Sequence, residues 1–451
     1  MPIYRADAAL LPDGIARNVL IAVERDRIGR VEVGAPAAEG EVRLSGLVLP
    51  GVANVHSHAF QRAMAGLAEW DGGGEDNFWS WREAMYRFAE RLDPESQHAI
   101  ALFLYIEMLK AGYTAVGEFH YLHNRPDGSA YAPPTAMADA LVSAASESGI
   151  ALALLPTLYM QGGADGRPLS QRQRRFGKTV DDLLLLRESF QDNPGVASLG
   201  LAIHSLRAVP FEAIRDAVSG IEVEAPLHIH VAEQIGEIAE TIAAYGKRPV
   251  QYLLDNFEIG PRWCFVHSTH MDEDETRRFA RSGGVAGLCP TTEGNLGDGI
   301  FPLTSFLEAE GQIAIGGDSH VGVDPAEELR TMDYVQRLAL RRRNVSATLK
   351  QPHTAARLWP ASSRGGAQAL ALGAGEIMKG ARADFIVLDP AHPSFAGRDP
   401  VQILDTYVFV AGRDAVRDVM VGGNWVIKNH HHALEEQAAV GWRKALEEIS
   451  V

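Results

Sequence analysis

Closely spaced pairs of histidines are the residues of this sequence best suited to chemistry. His56 and His58 flank one serine after an apolar run, and His228 and His230 flank one isoleucine after another run. Residues at positions i and i+2 of an extended segment point to the same side. Both imidazoles of such a pair can therefore reach one metal ion at about 2.0–2.1 Å, the usual length of a zinc–nitrogen bond.

Further candidate ligands follow other apolar runs. His267 ends one run, and another run ends in the segment GGDSH, which contains Asp318. Glu233 stands three residues after His230. An isolated pair of histidines is usually no metal site, but imidazoles and carboxylates at the ends of four separate runs are hard to explain by core packing. They predict a metal site, provided that the fold brings these run ends together.

The apolar runs belong to a pattern that repeats through the middle of the chain. A short apolar or β-branched run ends in polar residues, and a segment with helical periodicity follows, as in residues 97–111. We predict eight strands, at residues 47–55, 113–119, 150–159, 198–203, 226–231, 263–266, 284–289 and 312–315. Five glycines stand where a helix C-cap in the left-handed conformation is expected: Gly112, Gly149, Gly246, Gly283 and Gly311.

Eight strands that alternate with helices predict an α/β protein with a (β/α)8 TIM-like barrel. In such a barrel, functional residues gather at the C-terminal ends of the strands, where the candidate ligands stand. A doubly wound open sheet is the competing architecture. No Gly-x-Gly-x-x-Gly follows the first predicted strand to support it.

The two ends of the chain have a different pattern. Residues 1–48 contain short alternating segments, and the pattern resumes after about residue 378 with residues 383–388 and a hairpin of residues 416–421 and 425–428. We expect residues 1–48 and 378–432 to pack together as one small β-sandwich domain beside a barrel of residues 49–377. The final segment, 433–451, contains a predicted helix at residues 433–448.

Composition excludes several classes of protein. The 451 residues carry a net charge of −16, which repels nucleic acid and anionic lipid. No apolar run approaches the length of a membrane span, and the N-terminus lacks the apolar segment of a signal peptide. Two cysteines are too few for a disulfide framework. We expect a cytoplasmic protein that binds a small molecule and neither nucleic acid nor a membrane.

Several motifs resemble those of the amidohydrolase superfamily. The chain is similar to it in LVLPGVANVHSHAF, HIHVAE, VHSTH, GGDSH and ADFIVLD. Within the superfamily it resembles the formimidoylglutamate deiminases of histidine degradation. That resemblance spans the whole chain and is most specific in HSHAFQRAMAG (56–66), FWSWREAMY (78–86), GYTAVGEFHY (112–121), HSLRAV (204–209) and TTEGNLGDGIFP (291–302).

The resemblance implies a barrel, a β-sandwich from both termini and one divalent metal ion, usually zinc. The implied ligands are His56, His58, His230 and Asp318. The family places its ligand three residues before the acidic residue, which selects His230 over His228. Binuclear relatives bridge their metals with a carboxylated lysine, and none of the eight predicted strands contains lysine. One metal ion is therefore expected.

The resemblance also implies roles for residues around the metal. Glu233 moves protons between water and the departing nitrogen, and His267 contacts the substrate and the attacking oxygen. Asp318 accepts a hydrogen bond from the water as well as binding the metal. The implied substrate-binding residues are Gln61, Arg82, Tyr121, His204, Arg207 and His267. Arginine suits a substrate with two carboxylates, because its planar fork binds them in bidentate fashion.

The expected function is hydrolytic deimination of N-formimidoyl-L-glutamate to N-formyl-L-glutamate and ammonia, by a homodimer. The first alternative is another deaminase on the same scaffold that acts on guanine or a related purine. Such an enzyme needs planar aromatic stacking and amide groups more than two arginines. A non-catalytic barrel is the second alternative, although it would be expected to lose ligands that are all present here.

Overall fold

Strands and helices alternate through most of the chain. The computed structural model describes residues 1–69 and 78–450, except for the side chains of Trp79 and Ser450. The strands in these residues are β1 (Ile3–Leu11), β2 (Gly14–Glu24), β3 (Arg27–Val33), β4 (Val42–Pro50), β5 (Val52–Ser57), β6 (Tyr113–His120), β7 (Ala151–Leu158), β8 (Ser198–Leu199), β9 (Leu201–Ile203), β10 (Leu227–Val231), β11 (Trp263–His267), β12 (Val285–Leu288), β13 (Gln312–Ile315), β14 (Phe385–Leu388), β15 (Val416–Val421) and β16 (Asn424–Ile427).

The helices connect and cover these strands. The α-helices in the described residues are α1 (Phe78–Ala89), α2 (Pro94–Ala111), α3 (Ala136–Ser148), α4 (Val180–Glu188), α5 (Phe211–Ser219), α6 (Ile235–Tyr245), α7 (Pro249–Asn256), α8 (Glu273–Ser282), α9 (Pro290–Leu296), α10 (Leu303–Glu308), α11 (Pro325–Leu340), α12 (Thr354–Ala369), α13 (Pro400–Thr406) and α14 (Glu435–Ser450). Short 3-10 turns occur at Ala59–Met64, Arg172–Phe176, Pro393–Phe395 and Gly412–Ala415, and a π-helical turn at Tyr407–Ala411. None of the described helices is long and apolar enough to cross a membrane.

The middle of the chain forms the predicted closed barrel. Its parallel strands pair in the order β6-β5-β13-β12-β11-β10-β9-β7, and β6 pairs with β7 to close the ring. The fourth barrel strand has two pieces, β8 and β9, on either side of Gly200, where a Cβ would overlap Leu155 and the carbonyl of Pro226. Closure of the ring confirms the (β/α)8 fold and excludes the doubly wound open sheet.

The terminal strands form a separate sheet in the order β16-β15-β14-β4-β1-β2-β3. Tyr4 in β1 and Trp425 in β16 have ring centroids 5.6 Å apart, although four strand spacings separate them. A flat sheet would place these strands about 19 Å apart, at roughly 4.8 Å per spacing. The sheet therefore curls around a small core of its own, as expected for a β domain built from both termini. The exact domain boundaries stay a prediction.

One predicted strand is divided between the two sheets. Residues 47–55 contain the end of β4, which belongs to the terminal sheet, and most of β5, which belongs to the barrel. Gly51 lies between them, and a Cβ there would overlap the side chain of Thr114. The chain thus passes from one sheet to the other where only glycine fits. Because the residues on both sides of Gly51 are apolar, the sequence predicts one strand where the structure has two.

Most predicted helix ends are confirmed. The helices α2, α3, α6 and α8 end at left-handed glycines: Gly112, Gly149, Gly246 and Gly283. The prediction for Gly311 is wrong, since the left-handed residue before β13 is Glu310, with φ of 64°. Gly311 serves packing instead, because a Cβ there would overlap the ring of Phe306.

Two helices begin at residues other than those predicted. The helix expected at 97–111 starts at Pro94, because the Asp93 carboxylate accepts a hydrogen bond from the backbone N–H of Ser96 and caps it. The terminal helix α14 begins at Glu435, two residues later than expected. It packs on α2, where the rings of Phe103 and Trp442 stack with centroids 4.7 Å apart.

Replacing Gly365 by alanine tests how tightly α12 packs on the barrel. A Cβ at Gly365 would overlap the carbonyl oxygen of Ile313 in β13. We expect Gly365→Ala to lower the free energy of unfolding by about 1–3 kcal/mol through overpacking. Gly441→Ala in α14 is the control, because its Cβ would lie 3.8 Å from Ala99. Alanine should there raise the free energy of unfolding by roughly 0.5–1 kcal/mol. Urea unfolding that shows the same change in both variants would contradict this packing.

Candidate active site

Three barrel strands bring the four predicted metal ligands together. His56 is in β5 and His58 directly follows it, His230 is in β10, and Asp318 lies three residues after β13. His230 Nε2 and His56 Nε2 are 2.9 Å apart. Asp318 Oδ1 lies 3.4 Å from Nε2 of both His56 and His58. All four side chains are buried, at the C-terminal ends of the barrel strands.

Backbone hydrogen bonds fix which nitrogen of two histidines faces this cluster. Nδ1 of His58 donates to the carbonyl of Phe119 at 3.0 Å, and Nδ1 of His230 donates to the carbonyl of His204 at 2.9 Å. A neutral imidazole carries one proton, so Nε2 of each ring presents a bare lone pair to the cluster. Burial lowers the pKa of His58, and burial with neighbouring imidazoles holds the pKa values of His56 and His230 well below the usual range.

This arrangement fits a divalent metal ion. Nε2 of His230 presents its lone pair 2.9 Å from Nε2 of His56, close enough for one cation to bind both nitrogens. Three neutral imidazoles and one carboxylate are a ligand set typical of catalytic zinc, which keeps a further position open. The groups of ligand atoms His56–His58–His230 and His56–His267–Asp318 each lie within 4.8 Å of one another.

A buried carboxylate supports the two ligands that come from β5. Ser57, which stands between His56 and His58, donates to Glu118 Oε2 at 2.6 Å, and the backbone N–H of Ala59 donates to Glu118 Oε1 at 2.8 Å. Tyr105 donates to the same carboxylate at 3.1 Å. Glu118 therefore ties the ligand-bearing segment to β6. Burial raises the pKa of Glu118 to about 7, against the three hydrogen bonds that favour its charged form.

A second group of ionisable residues stands beside the ligands. His267, at the end of β11, has Nε2 3.9 Å from Glu233 Oε1 and 4.0 Å from Asp318 Oδ2. Its Nδ1 lies 3.4 Å from Glu293 Oε1. Although burial lowers the pKa of His267, the carboxylates of Glu233, Glu293 and Asp318 raise it to about 10. Burial, opposed by His267 and assisted by Asp318, raises the pKa of Glu233 to about 7.

These residues open into a pocket of about 620 Å3, which includes space open to solvent. The pocket is lined by every predicted substrate-binding residue: Gln61, Arg82, Tyr121, His204, Arg207 and His267. It also contains Glu233 and the ligands other than His56, which is fully buried behind it. The structure thus brings all the predicted site residues together. Their individual roles stay predictions.

The two predicted arginines reach the pocket from different elements. Arg82 belongs to α1, and its guanidinium lies 5.2 Å from the ring centre of Tyr86. Arg207 follows β9 and is only 7% exposed. Burial, with the charges of Arg207, His58 and Arg82, holds the pKa of the intervening His204 well below its usual value. One side of the pocket is therefore positively charged, in a protein of strongly negative net charge.

The polar floor between the arginines and the ligands is already ordered. Gln61 donates from Nε2 to the hydroxyl of Tyr121 at 2.9 Å. The ring of Tyr121 packs edge-on against His58, with centroids 4.8 Å apart. His204 lies against Tyr159 in the same manner, at 4.5 Å. These contacts fix the side chains before any ligand arrives.

Sequence reasoning missed several pocket residues. Among them are Tyr159, Phe176 and Glu237, which line the pocket, and Glu293, which lies beside His267. Tyr159 ends the third predicted strand and Glu293 lies in the motif TTEGNLGDGIFP, so the sequence position was a signal for both. Phe176 comes from a short helical turn, where an apolar residue resembles ordinary core.

The remaining histidines near the strands have other partners. His228 Nε2 lies 2.8 Å from the carbonyl of Ala369, away from the ligand cluster. This contact agrees with the choice of His230 as the ligand. His123 Nε2 bonds to the carbonyl of Thr157, and the ring of His120 packs edge-on against that of His123. Neither lines the pocket.

Comparisons with known proteins agree with this geometry. The sequence profile of the amidohydrolase family matches residues 47–426. The chain is 47% identical over 447 residues to the formimidoylglutamate deiminase of Pseudomonas aeruginosa, covering 98% of each protein. A crystal structure of an amidohydrolase from Brucella melitensis matches with a TM-score of 0.94 and 42% identity, over 100% of both chains. An adenosine deaminase from Xanthomonas campestris with bound zinc has a TM-score of 0.80 at 21% identity, over 99% of this chain and 98% of that one, a likeness of fold alone.

Glu118→Gln tests whether the buried carboxylate holds the ligands of β5 in place. The amide keeps the size of the side chain but replaces one acceptor oxygen by a donor, so Ser57 or Ala59 loses its partner. We expect metal affinity to fall by roughly 10- to 100-fold, the usual effect of losing a partner behind the ligands. Competition with a chromophoric chelator measures this. Tyr105→Phe, which removes a donor remote from the ligands, is the control and should change affinity far less. Unchanged affinity in folded Glu118→Gln protein would refute the role.

Proposed function

The chain belongs to the amidohydrolase family, and from this membership we propose that it hydrolyses N-formimidoyl-L-glutamate to N-formyl-L-glutamate and ammonia. Identity of 47% along 98% of a formimidoylglutamate deiminase supports this substrate. The observation that carries the proposal is the presence of Arg82 and Arg207 in the same pocket as the histidine–aspartate cluster. A linear substrate with two carboxylates and one amidine needs both groups.

The reaction replaces nitrogen by oxygen at the amidine carbon. The oxygen of water bonds to that carbon, and the bond from the carbon to the terminal nitrogen then breaks to release ammonia. His56, His58, His230 and Asp318 would hold a divalent metal ion, which supplies Lewis-acid chemistry and makes water nucleophilic near neutral pH. Asp318 also accepts a hydrogen bond from the water.

Glu233 transfers the proton between the two halves of the reaction. Its carboxylate lines the pocket beside the ligands, and its pKa of about 7 suits a group that must both accept and release a proton at neutral pH. It takes a proton from water and delivers it to the departing nitrogen. Neutral ammonia is a far better leaving group than an amide anion, so this delivery allows the carbon–nitrogen bond to break.

His267 orients the attacking oxygen of water. With the carboxylate of Glu293 3.4 Å from Nδ1, the ring is held with Nε2 towards Glu233 and Asp318. The neighbouring carboxylates raise the pKa of His267 and so favour its protonated form, in which Nε2 donates a hydrogen bond to the attacking oxygen. His267 thereby orients the water towards the amidine carbon.

The glutamate part of the substrate lies against the positive side of the pocket. Arg82 and Arg207 each pair with one carboxylate, since the bidentate fork of arginine fits that group. Gln61, Tyr121 and His204 line the space between the arginines and the ligands and hold the substrate backbone. Aromatic rings of α1 also line the pocket, from Phe78, Trp81 and Tyr86.

One zinc ion is the proposed cofactor. The ligand set suits zinc, and the barrel strands carry no lysine that could be carboxylated to bridge a second metal. We further propose that the enzyme is a cytoplasmic homodimer that acts in histidine degradation. The resemblance to formimidoylglutamate deiminases supports the pathway and the dimer, and two buried free cysteines suit a reducing compartment.

Ammonia release separates the proposed substrate from the purine alternative. We expect the metal-loaded enzyme to release ammonia from N-formimidoyl-L-glutamate and not from guanine. The arginines match the carboxylates of the former, and the latter offers them no anionic partner. Faster release from the purine would overturn the substrate assignment.

Glu233→Gln separates proton transfer from metal binding. Glutamine has the same shape but cannot accept and deliver a proton, so turnover should fall by roughly two to four orders of magnitude. Elemental analysis should find as much metal as in the wild type, because Glu233 is not a proposed ligand. Turnover near the wild-type value in the metal-loaded variant would remove Glu233 from the mechanism.

Replacing each arginine by methionine tests recognition of the glutamate part. Arg82→Met and Arg207→Met keep bulk but leave a substrate carboxylate without its partner. Losing one member of a buried charged pair costs about 2–5 kcal/mol, roughly 30- to 5,000-fold in kcat/KM. The loss should be much smaller for a formimidoyl compound without the matching carboxylate, and lysine should rescue only partly. Equal losses on both substrates would show that the arginines support only the fold.

A further inference from the structure

The turn that carries Glu233 depends on one buried side chain of the following helix. Glu237, in the first turn of α6, accepts the backbone N–H of Ala232 at Oε1 and that of Glu233 at Oε2, each at 3.1 Å. Each oxygen of the carboxylate thus accepts a hydrogen bond from the N–H group of one of two consecutive residues. The side chain is buried, at 4% exposure, yet it lines the pocket.

This turn has an unfavourable backbone conformation that needs such support. Ala232 has φ of +55°, in the left-handed region that residues other than glycine rarely adopt. The carbonyls of Val231 and Ala232 accept N–H groups of Ser268 and His270, which hold the other side of the turn. The left-handed residue directs the chain from the ligand His230 to the pocket-facing Glu233.

The charge of Glu237 also acts on the arginine proposed to bind substrate. Burial lowers the pKa of Arg207, but Tyr159, Glu237 and Glu233 raise it overall. In return, Arg207 lowers the pKa of Glu237, against the effect of burial. Geometry agrees, since Glu237 and Arg207 line the same pocket. A carboxylate of the substrate that pairs with Arg207 therefore enters a pocket that also contains the negative charge of Glu237.

We propose that Glu237 is a positioning residue that holds the Glu233 turn in its active conformation, at the cost of weaker binding of the anionic substrate at Arg207. The second half of this statement rests on the proposed function, because it requires a carboxylate at Arg207. The first half rests only on the proposed role of Glu233 in proton transfer and not on the identity of the substrate. Removing the Glu237 carboxylate should therefore lower kcat and at the same time tighten binding of the anionic ligand. Loss of a residue important only for folding would not produce this combination.

Glu237→Gln separates these effects. The amide can accept from only one of the two N–H groups and turns a donor towards the other, so the turn loosens and kcat falls by roughly 10- to 100-fold, as expected for a misplaced reacting group. The negative charge is also removed, so the dissociation constant of the product N-formyl-L-glutamate should fall several-fold. Titration calorimetry with this product measures binding without chemistry.

Two further variants complete the test. Glu237→Asp keeps the charge but is too short to reach both N–H groups, so it should lower kcat without tightening product binding. It also provides the comparison if the glutamine variant does not fold. Glu240→Gln is the control, because Glu240 lies on the same helix but does not line the pocket. It should leave both kcat and product binding unchanged.

Hydrogen exchange distinguishes failure of this inference from failure of the proposed function. The amides of Ala232 and Glu233 should exchange faster in Glu237→Gln than in the wild type, whatever the substrate is. Wild-type exchange rates there, or an unchanged kcat, would overturn the positioning role. Weaker product binding by Glu237→Gln would overturn the charge effect. A wild-type enzyme that neither converts formimidoylglutamate nor binds its product would refute the substrate instead, and exchange would still test the turn.

Discussion

Nε2 of His56 and Nε2 of His230 lie 2.9 Å apart in the buried centre of this protein. One divalent cation can bind both nitrogens at this separation, together with Nε2 of His58. Backbone carbonyls that bind the far nitrogens of His58 and His230 make the orientation of these two rings a constraint of the fold. The nearby Asp318 contributes the negative charge that partly balances the ion.

The remainder of the site follows from that constraint. The barrel brings ligands from strands that are distant in sequence to one end, and Glu118 and Glu293 fix the residues that face the ion. The ion and its carboxylates would act on any amidine-like carbon. In the proposed function, selectivity comes from Arg82 and Arg207, which reach the pocket from separate elements. The proposed metal binding and the proposed substrate recognition thus use different parts of the chain.

The sequence predicts the barrel well, because its strands carry local signals, and the barrel then brings the candidate ligands together. Apolar runs that alternate with helical segments indicate the strands, and the spacing of His56 and His58 can be recognised without knowledge of the fold. Other features depend on contacts between distant residues. The break at Gly51 follows from the approach of Thr114, and the role of Gly311 follows from the ring of Phe306. The hydrogen bond from Ala232 to Glu237 depends on a left-handed turn at Ala232, which no sequence pattern predicts.

The dependence of turnover on bound metal is the sharpest test of the proposed metal-dependent hydrolysis. Protein freed of metal by chelation is titrated with zinc, while ammonia release from N-formimidoyl-L-glutamate and metal content per chain are measured together. We expect no turnover in the metal-free protein and a linear rise that stops at one zinc per chain. Full turnover without metal, or a rise that continues to two ions per chain, would contradict it.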